Sequence, residues 1–312
     1  MGKQNGQGGV GGDTGGAEGV HVVIPTHTAR HLDMCLVGMA RQRVRPLSVT
    51  VSCDVDDEAI EGLLRKCASE LGLVIRYVRR PHEGKERLAQ VRNNAVRALV
   101  EDGVIGNDEN EGGKARGRLL FLDGDTLAEV DCVEKHLQFG RNAEMVLCSR
   151  INLTEAETAG LDGEAILQGE GVVACREEEK RKLLREHRKA VLHQFLRKLG
   201  LTKAHKPKLL GGHHSVSVEA FMRVNGHDEE YHTWGTEDDD FARRVYRSGG
   251  RSVIAIRDIL VYHLYHPTRS PVDWHERENA VRFARKDLPV YCRYGLSSPY
   301  LQERVRVDVL RP

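Results

Sequence analysis

The chain has 312 residues, 40% of them hydrophobic, which is enough apolar material for one large α/β domain. Its 47 Lys and Arg residues balance 46 Asp and Glu residues, so no whole-molecule charge favours a nucleic-acid partner. Seven scattered cysteines without a C-x-x-C pair argue against a disulfide framework or a thiolate zinc site. Without an apolar leader or a membrane-length apolar run, we expect a cytoplasmic protein with reduced thiols.

The composition divides the chain into three parts. Residues 1–18 are rich in glycine and polar side chains, which predicts a disordered tail. We expect one globular domain over 19–270, with a helical insertion at about 153–208, and a C-terminal helical extension over 271–312.

Strand-like and helix-like segments alternate in the first half of the chain. Short apolar runs typical of buried strands occur at 20–24, 47–53, 73–78 and 119–122, and amphipathic stretches typical of helices at 29–43, 56–71 and 86–100. A glycine-rich and acidic segment at 101–117 indicates a surface loop. This alternation predicts an α/β fold with a mostly parallel sheet flanked by helices, in which ligands bind at the carboxyl ends of the strands.

The stretch 176–208 is strongly basic, and its apolar residues recur at helical spacing. This pattern predicts a basic amphipathic helix. Three roles stay open from the residues alone: a solvated face, a lid over a bound ligand, and a surface that docks on an anionic membrane or an acidic partner.

Two carboxylates follow the apolar run at 119–122. Asp123 and Asp125 flank Gly124, and such a pair at a strand end suits Mg²⁺ or Mn²⁺ with a phosphate-bearing substrate. A plain turn in which the Asp side chains bond the backbone is the simpler alternative. The sequence here also resembles the nucleophile loop of haloacid-dehalogenase-type phosphohydrolases, with Asp123 as nucleophile, but that family carries the loop on its first strand.

Four consecutive acids, Glu237 to Asp240, follow Trp234 and Gly235 and open a helix-like stretch. Helix capping explains one or two of them, and mutual repulsion makes the rest unfavourable unless they are used. We therefore expect a carboxylate here that acts as a general base.

Two histidines, His263 and His266, lie in a strand-like segment near the end of the domain. On a continuous strand they would point to opposite faces, so at most one of them would bind a metal. His263 is the first choice and His266 the alternative.

Taken in order, these motifs resemble the family 2 glycosyltransferases of the GT-A fold. The part after about residue 209 is similar to galactosyltransferases and polypeptide N-acetylgalactosaminyltransferases. The resemblance covers residues 20–266 and implies an inverting, hexosyltransferase-type enzyme. It would move a sugar from a nucleotide-diphosphate donor, a UDP-sugar in the first place, to a hydroxyl of a glycan or another acceptor, with Mn²⁺ or Mg²⁺ as cofactor.

The same resemblance implies a role for each matching position. The donor nucleotide would contact the strand ends and one helix, at Pro25, Thr26, Asp54, Arg87, Arg92, Asn93, Asp123 and Gly124. The metal would be held by Asp123, Asp125 and His263. The acceptor and donor sugar would lie against Gly211, Gly212, His213, Trp234 and Gly235. Asp238 would be the catalytic base, and Glu237 would contact a sugar.

Overall fold

The structure, a computed structural model, describes residues 19–81, 87–106, 117–170, 173, 175–232, 235–267, 278–302 and 304–312. The predicted tail at 1–18 and most of the predicted loop at 101–117 lie outside these residues. Ten helices occur in the described ranges: α1 Leu32–Ala40, α2 Glu58–Leu71, α3 Leu88–Glu101, α4 Cys132–Gly140, α5 Glu155–Ala159, α6 Gly163–Leu167, α7 Glu177–Lys198, α8 Val218–Arg223, α9 Glu237–Arg247 and α10 Glu278–Ala284.

The strands of the described ranges form two sheets. They are β1 Val20–Thr26, β2 Ser48–Cys53, β3 Ile75–Arg79, β4 Arg118–Leu122, β5 Thr126–Ala128, β6 Met145–Leu147, β7 Ile151–Asn152, β8 His213–Ser217, β9 Ser252–Ile254, β10 Val261–His263 and β11 Arg306–Leu310. The larger sheet has the order β11-β3-β2-β1-β4-β8-β6-β9, and the smaller one has the order β5-β10-β7.

The central strands of the larger sheet are parallel. β3, β2, β1 and β4 run in one direction, whereas β8 is antiparallel to both β4 and β6. Helices cover this sheet on two sides, because alternate residues of β1 and β4 enter two separate apolar clusters: Val23 and Phe121 in one, Val22 and Leu120 in the other. The predicted α/β fold with a mostly parallel sheet is confirmed.

The carboxyl ends of β1, β2 and β4 meet at one edge of the sheet. Thr26 pairs with Cys53 across β1 and β2, and the chain continues from there into Asp54. β4 is parallel to β1 and ends at Leu122, directly before Asp123. The polar residues predicted to bind ligand therefore follow strands that end on the same side.

The end of the chain differs from the predicted helical extension. It contains one short helix, α10, followed by β11, which pairs antiparallel with β3. Val307 and Val309 alternate with polar residues in β11, a pattern typical of a strand, and the added strand covers a sheet edge that would otherwise expose unpaired backbone groups.

The predicted basic helix is present as α7, within the predicted insertion. Leu183 and Ala190 are buried. Val191, Leu192, Phe195 and Leu199 are exposed, so many of the apolar residues at helical spacing face the solvent. Among the residues that the structure describes, no helix combines the length and the apolar character needed to cross a membrane. The docking role of this helix stays a prediction.

Candidate active site

Three potential metal ligands converge where β10 ends beside β5 in the smaller sheet. The Asp125 Oδ2 atom lies 3.3 Å from His263 Nε2 and 3.1 Å from His266 Nε2. One ligand atom from each residue lies within 4.8 Å of the other two. A carboxylate and two imidazoles form a ligand set that suits a divalent transition metal such as Mn²⁺.

Both histidines reach Asp125 because β10 is short. It ends at His263, where it pairs with Thr126 of β5, and the chain then leaves the sheet. Leu264 donates its backbone N–H to Asp125 O at 2.9 Å, which holds the turn against the carboxylate. The expectation that the two histidines point to opposite faces is therefore wrong, since the strand does not continue to His266.

The Asp125 carboxylate has capacity for a further partner. Its Oδ1 atom is buried and has no hydrogen-bond partner among the described residues. Although burial opposes it, the hydrogen bond and charge of His263 lower the pKa of Asp125, so this carboxylate is ionised at neutral pH. An ionised carboxylate with an unused buried oxygen fits a hard cation.

Asp123 has a different partner. Its Oδ2 atom lies 3.2 Å from the guanidinium of Arg150, in the loop between β6 and β7. Burial and the nearby Asp125 charge raise the pKa of Asp123. Two carboxylates so close to each other repel, and positive charge supplied by Arg150 and by a cation would relieve that repulsion.

Gly211 and Gly212 bring two carboxylates to adjacent points of one backbone segment. A Cβ atom on Gly211 would overlap the carboxylate of Asp238, and a Cβ atom on Gly212 would overlap that of Asp123. Asp123 also donates its backbone N–H to Gly212 O at 3.2 Å. The two acidic motifs, far apart in sequence, thus meet across residues whose lack of side chains permits the approach.

Arg92 links the helix α3 to the acidic cluster. Its Nη1 atom is 2.8 Å from Asp238 Oδ1 and 3.6 Å from Glu237 Oε1, and the guanidinium is buried. Burial raises the pKa of Asp238 to about 8, although Arg92 opposes the shift. Burial also raises the pKa of Glu237, which accepts the Gly235 N–H at 2.8 Å. Asp238 keeps 21% of its side chain exposed, so a substrate hydroxyl can reach it.

The other two acids of the cluster face positive partners elsewhere. Asp239 lies 3.5 Å from Lys208 Nζ. Asp240 is buried and accepts hydrogen bonds from Arg243 at 2.6 Å and from Arg244 at 2.7 Å. The predicted repulsion between four acids is therefore offset by separate cations, and only Glu237 and Asp238 face the site with Arg92.

The turn before α9 is fixed from the C-terminal part of the chain. Gly235 has φ 117° and Thr236 has φ 66°, both in the left-handed region, and Asn279 of α10 donates to Gly235 O at 3.0 Å. Trp234, predicted to contact the sugar or the acceptor, lies outside the described residues.

Two of the predicted nucleotide contacts lie beside the carboxylates. Pro25 and Thr26 end β1, and the Cβ position of Gly124 is 3.0 Å from Thr26 Cβ. Gly124 thus lets the turn between Asp123 and Asp125 pack directly on the end of β1.

Two further predicted contacts follow β2 and β3. Asp54 forms a buried ion pair with Arg80 and accepts the backbone N–H of Arg87 at 3.0 Å. The Arg87 guanidinium lies 5.5 Å from the Tyr300 ring centroid, and its Nε and Nη1 atoms have no hydrogen-bond partner among the described residues. Arg87 is therefore available to an anionic ligand.

Two predicted site residues point elsewhere. Asn93 donates to His227 O and Glu229 Oε1, both at 2.8 Å, and accepts the His227 N–H at 2.9 Å, so its amide holds α3 to the 227–229 loop. His213 is buried and contacts His136 of α4, because the strand β8 directs it away from Asp123 and Asp238. Neither side chain is exposed to a ligand at the carboxylates.

Arg150 and Asn279 are two residues of this region that the sequence motifs do not predict. Both lie outside the recognised motifs, in a short inter-strand loop and in the C-terminal part, and only the fold brings them to Asp123 and Gly235. An acidic pair at a strand end indicates that positive charge must lie nearby, but the sequence pattern does not indicate that Arg150 supplies it.

One segment of the chain, which includes part of this site, matches a known protein family. Residues 191–267 match the sequence model of the N-terminal domain of galactosyltransferase, a segment that contains both glycines, the acidic cluster and both histidines. The chain is similar to glycosyltransferases in this segment. It resembles the galactosyltransferases, as the motifs predict, over about a quarter of its length. No curated protein sequence matches it.

Similar solved structures are more distant. TarS residues 1–349 of S. aureus are 14% identical with a TM-score of 0.49, covering 79% of this chain and 60% of that one. GalNAc-T7, solved with UDP, GalNAc and Mn²⁺, is 19% identical with a TM-score of 0.49, covering 80% of this chain and 44% of that one. This chain therefore covers less than two thirds of each of these two solved chains.

The contacts of Asn93 predict a structural role. Replacing Asn93 by Ala removes the amide that bonds both backbone groups of His227 and one of the partners of the Glu229 carboxylate, which costs about 1–3 kcal/mol of unfolding free energy. Urea unfolding followed by circular dichroism measures this loss. The exposed Asn152 serves as control, and Asn152→Ala should change stability little. If Asn93→Ala is as stable as the wild type but binds nucleotide more weakly, Asn93 contacts the ligand, as the sequence motif predicts, and has no structural role.

Proposed function

We propose that the chain is an inverting, metal-dependent transferase that moves a hexose from a UDP-sugar to a hydroxyl of a glycan or another acceptor. The observation that carries the proposal is the approach of Asp238 and Asp123 to Gly211 and Gly212, with the Asp125–His263–His266 group beside Asp123. The family match over 191–267 covers five of these residues: Gly211, Gly212, Asp238, His263 and His266.

The donor diphosphate would lie beside Asp123 and Asp125. A divalent cation held by Asp125, His263 and His266 would supply positive charge to the departing diphosphate. Arg150, 3.2 Å from Asp123, would add a second positive charge at the same place. Arg87, whose Nε and Nη1 atoms have no hydrogen-bond partner within the part of the chain that the structure describes, and the ends of β1 and β2 would receive the nucleotide.

Asp238 would accept the proton of the acceptor hydroxyl. The hydroxyl oxygen then forms a bond to the anomeric carbon, the bond from that carbon to the diphosphate oxygen breaks, and the proton stays on Asp238. A pKa raised by burial makes this carboxylate a stronger base than an exposed Asp. One base and a direct attack imply inversion of the anomeric configuration, which NMR of the product would test.

The two alternative functions receive less support. In the phosphohydrolase hypothesis Asp123 is a nucleophile, but Gly212, Asp238 and His263 lie in the segment that matches galactosyltransferase. A non-enzymatic docking protein would give no reason for these groups to converge.

The metal group predicts how nucleotide binding depends on a cation. We expect wild-type protein to bind UDP more tightly than GDP in the presence of Mn²⁺, and a chelator to abolish the binding. Asp125→Ala, His263→Ala and His266→Ala should each weaken Mn²⁺ binding by more than about tenfold, since each removes one ligand. Isothermal titration calorimetry measures both affinities. The exposed His27 is the control, and His27→Ala should bind like wild type.

Two results would contradict the proposed donor chemistry. If UDP binds with equal affinity with and without the cation, the metal is not part of the nucleotide site. Binding of no nucleoside diphosphate under any condition would reopen the phosphohydrolase and docking alternatives.

The raised pKa of Asp238 predicts the pH dependence of the reaction. A general base must be ionised, so the rate of UDP release from the donor should rise with pH as Asp238 loses its proton, with a midpoint at or below about 8. A bound cation lowers the midpoint because its charge favours the carboxylate.

Two Asn variants test whether the ionisation of Asp238 causes this rise of the rate with pH. Asp238→Asn should keep UDP binding and lower turnover by at least about 100-fold, because an amide cannot accept the proton. Asp239→Asn is the matched control, since Asp239 faces Lys208 instead of Arg92, and should retain activity. An active Asp238→Asn enzyme with the wild-type pH profile would contradict the assigned base.

A further inference from the structure

A second cluster of metal-ligating side chains lies outside the proposed active site. Cys132 and His136 are one turn apart on α4, His213 begins β8 and Cys148 follows β6. All four side chains are buried. Ligand atoms of Cys132, His136 and His213 lie within 4.8 Å of one another, and Cys148 Sγ lies 3.9 Å from His136 Nε2.

We propose that Cys132, His136, His213 and Cys148 form a structural zinc site. The cluster has the two-cysteine, two-histidine composition of tetrahedral structural zinc sites. The sequence spacing hid it, because its ligands come from three elements and no two of its cysteines form a C-x-x-C pair.

The orientation of the two histidines supports this assignment. Their Nε2 atoms face each other at 3.1 Å, with the rings at 75°. Each ring is anchored through its other nitrogen: His136 Nδ1 contacts Ser215 Oγ at 2.9 Å, and His213 Nδ1 contacts Ser149 O at 2.7 Å. Metal-binding histidines are held in the same way, with one nitrogen on the metal and the other on a polar group.

The charge of the site also fits its burial. Zinc binding would displace one proton from each thiol, and two thiolates balance the charge of Zn²⁺. A neutral cluster suits an interior position, where an uncompensated ion would be costly.

The position of the site gives it a function in the fold. His213 follows Gly212, the residue that permits the close approach of Asp123. A metal that joins α4, β6 and the start of β8 would fix the Gly211–Gly212 segment from behind, without touching substrate. This site is independent of the proposed catalytic cation, which has no sulfur ligand.

Cobalt substitution tests the proposal on the full chain. Protein expressed with zinc should contain about one tightly held zinc per chain after a chelator has emptied the Asp125 group, measured by inductively coupled plasma mass spectrometry. Replacement by Co²⁺ should produce thiolate-to-cobalt charge-transfer absorption in the near ultraviolet and the intense visible bands of tetrahedral Co²⁺. Asp125→Ala should keep these bands, which separates this site from the catalytic one.

Cysteine variants identify the ligands. Cys132→Ser and Cys148→Ser should each weaken or remove the charge-transfer bands, whereas Cys67→Ser, a buried thiol of α2 outside the cluster, should keep them. Because the first two variants can fail to fold, the wild-type spectrum is decisive. Wild-type protein that holds no zinc and gives no thiolate band with Co²⁺ would show a metal-free hydrogen-bonded cluster, and bands that persist in both variants would also overturn the proposal.

Discussion

The architecture of the site depends on the close approach of two backbone positions to two carboxylates. Gly211 and Gly212 precede β8, and β8 lies next to β4 in the sheet, so the segment passes directly over the end of β4 where Asp123 stands. Asp238, at the start of α9, reaches the same segment from the other side. The antiparallel insertion of β8 into an otherwise parallel region thus brings together groups separated by more than a hundred residues. Any side chain at either glycine would push one carboxylate out of place.

Electrostatic compensation then determines which carboxylates can react. The acids around the site are numerous, but most are held by a specific cation: Asp54 by Arg80, Asp240 by Arg243 and Arg244. Asp125 is the exception, since its partners are two histidines and one of its oxygens has no partner among the described residues. Burial raises the pKa of Asp238, and Arg92, the cation that it contacts among the described residues and shares with Glu237, offsets this only in part. These two carboxylates are therefore suited to a cation and to a proton, respectively.

The sequence predicted most of the fold and the main parts of the site, because both rest on local patterns. Buried strands read as short apolar runs, and Asp123, Asp125 and Asp238 stand where a strand ends or a helix begins. It failed where a role depends on what a residue meets across the fold. Asn93 and His213 have the expected residue types but are turned towards structural partners, and His266 joins Asp125 because β10 stops three residues earlier. Arg150, Asn279 and the pairing of β11 with β3 are long-range contacts with no local signature.

Substitution of the two glycines tests most directly whether Asp123 and Asp238 form one site. Gly211→Ala and Gly212→Ala, with Gly62→Ala as control because its Cβ would meet open space, are assayed for metal-dependent UDP release from UDP-hexoses after circular dichroism has verified the fold. We expect Gly212→Ala to lose UDP binding, Gly211→Ala to bind UDP but turn over at least about tenfold more slowly, and Gly62→Ala to be active. Folded glycine variants with wild-type binding and turnover would show that the two carboxylates do not form one site.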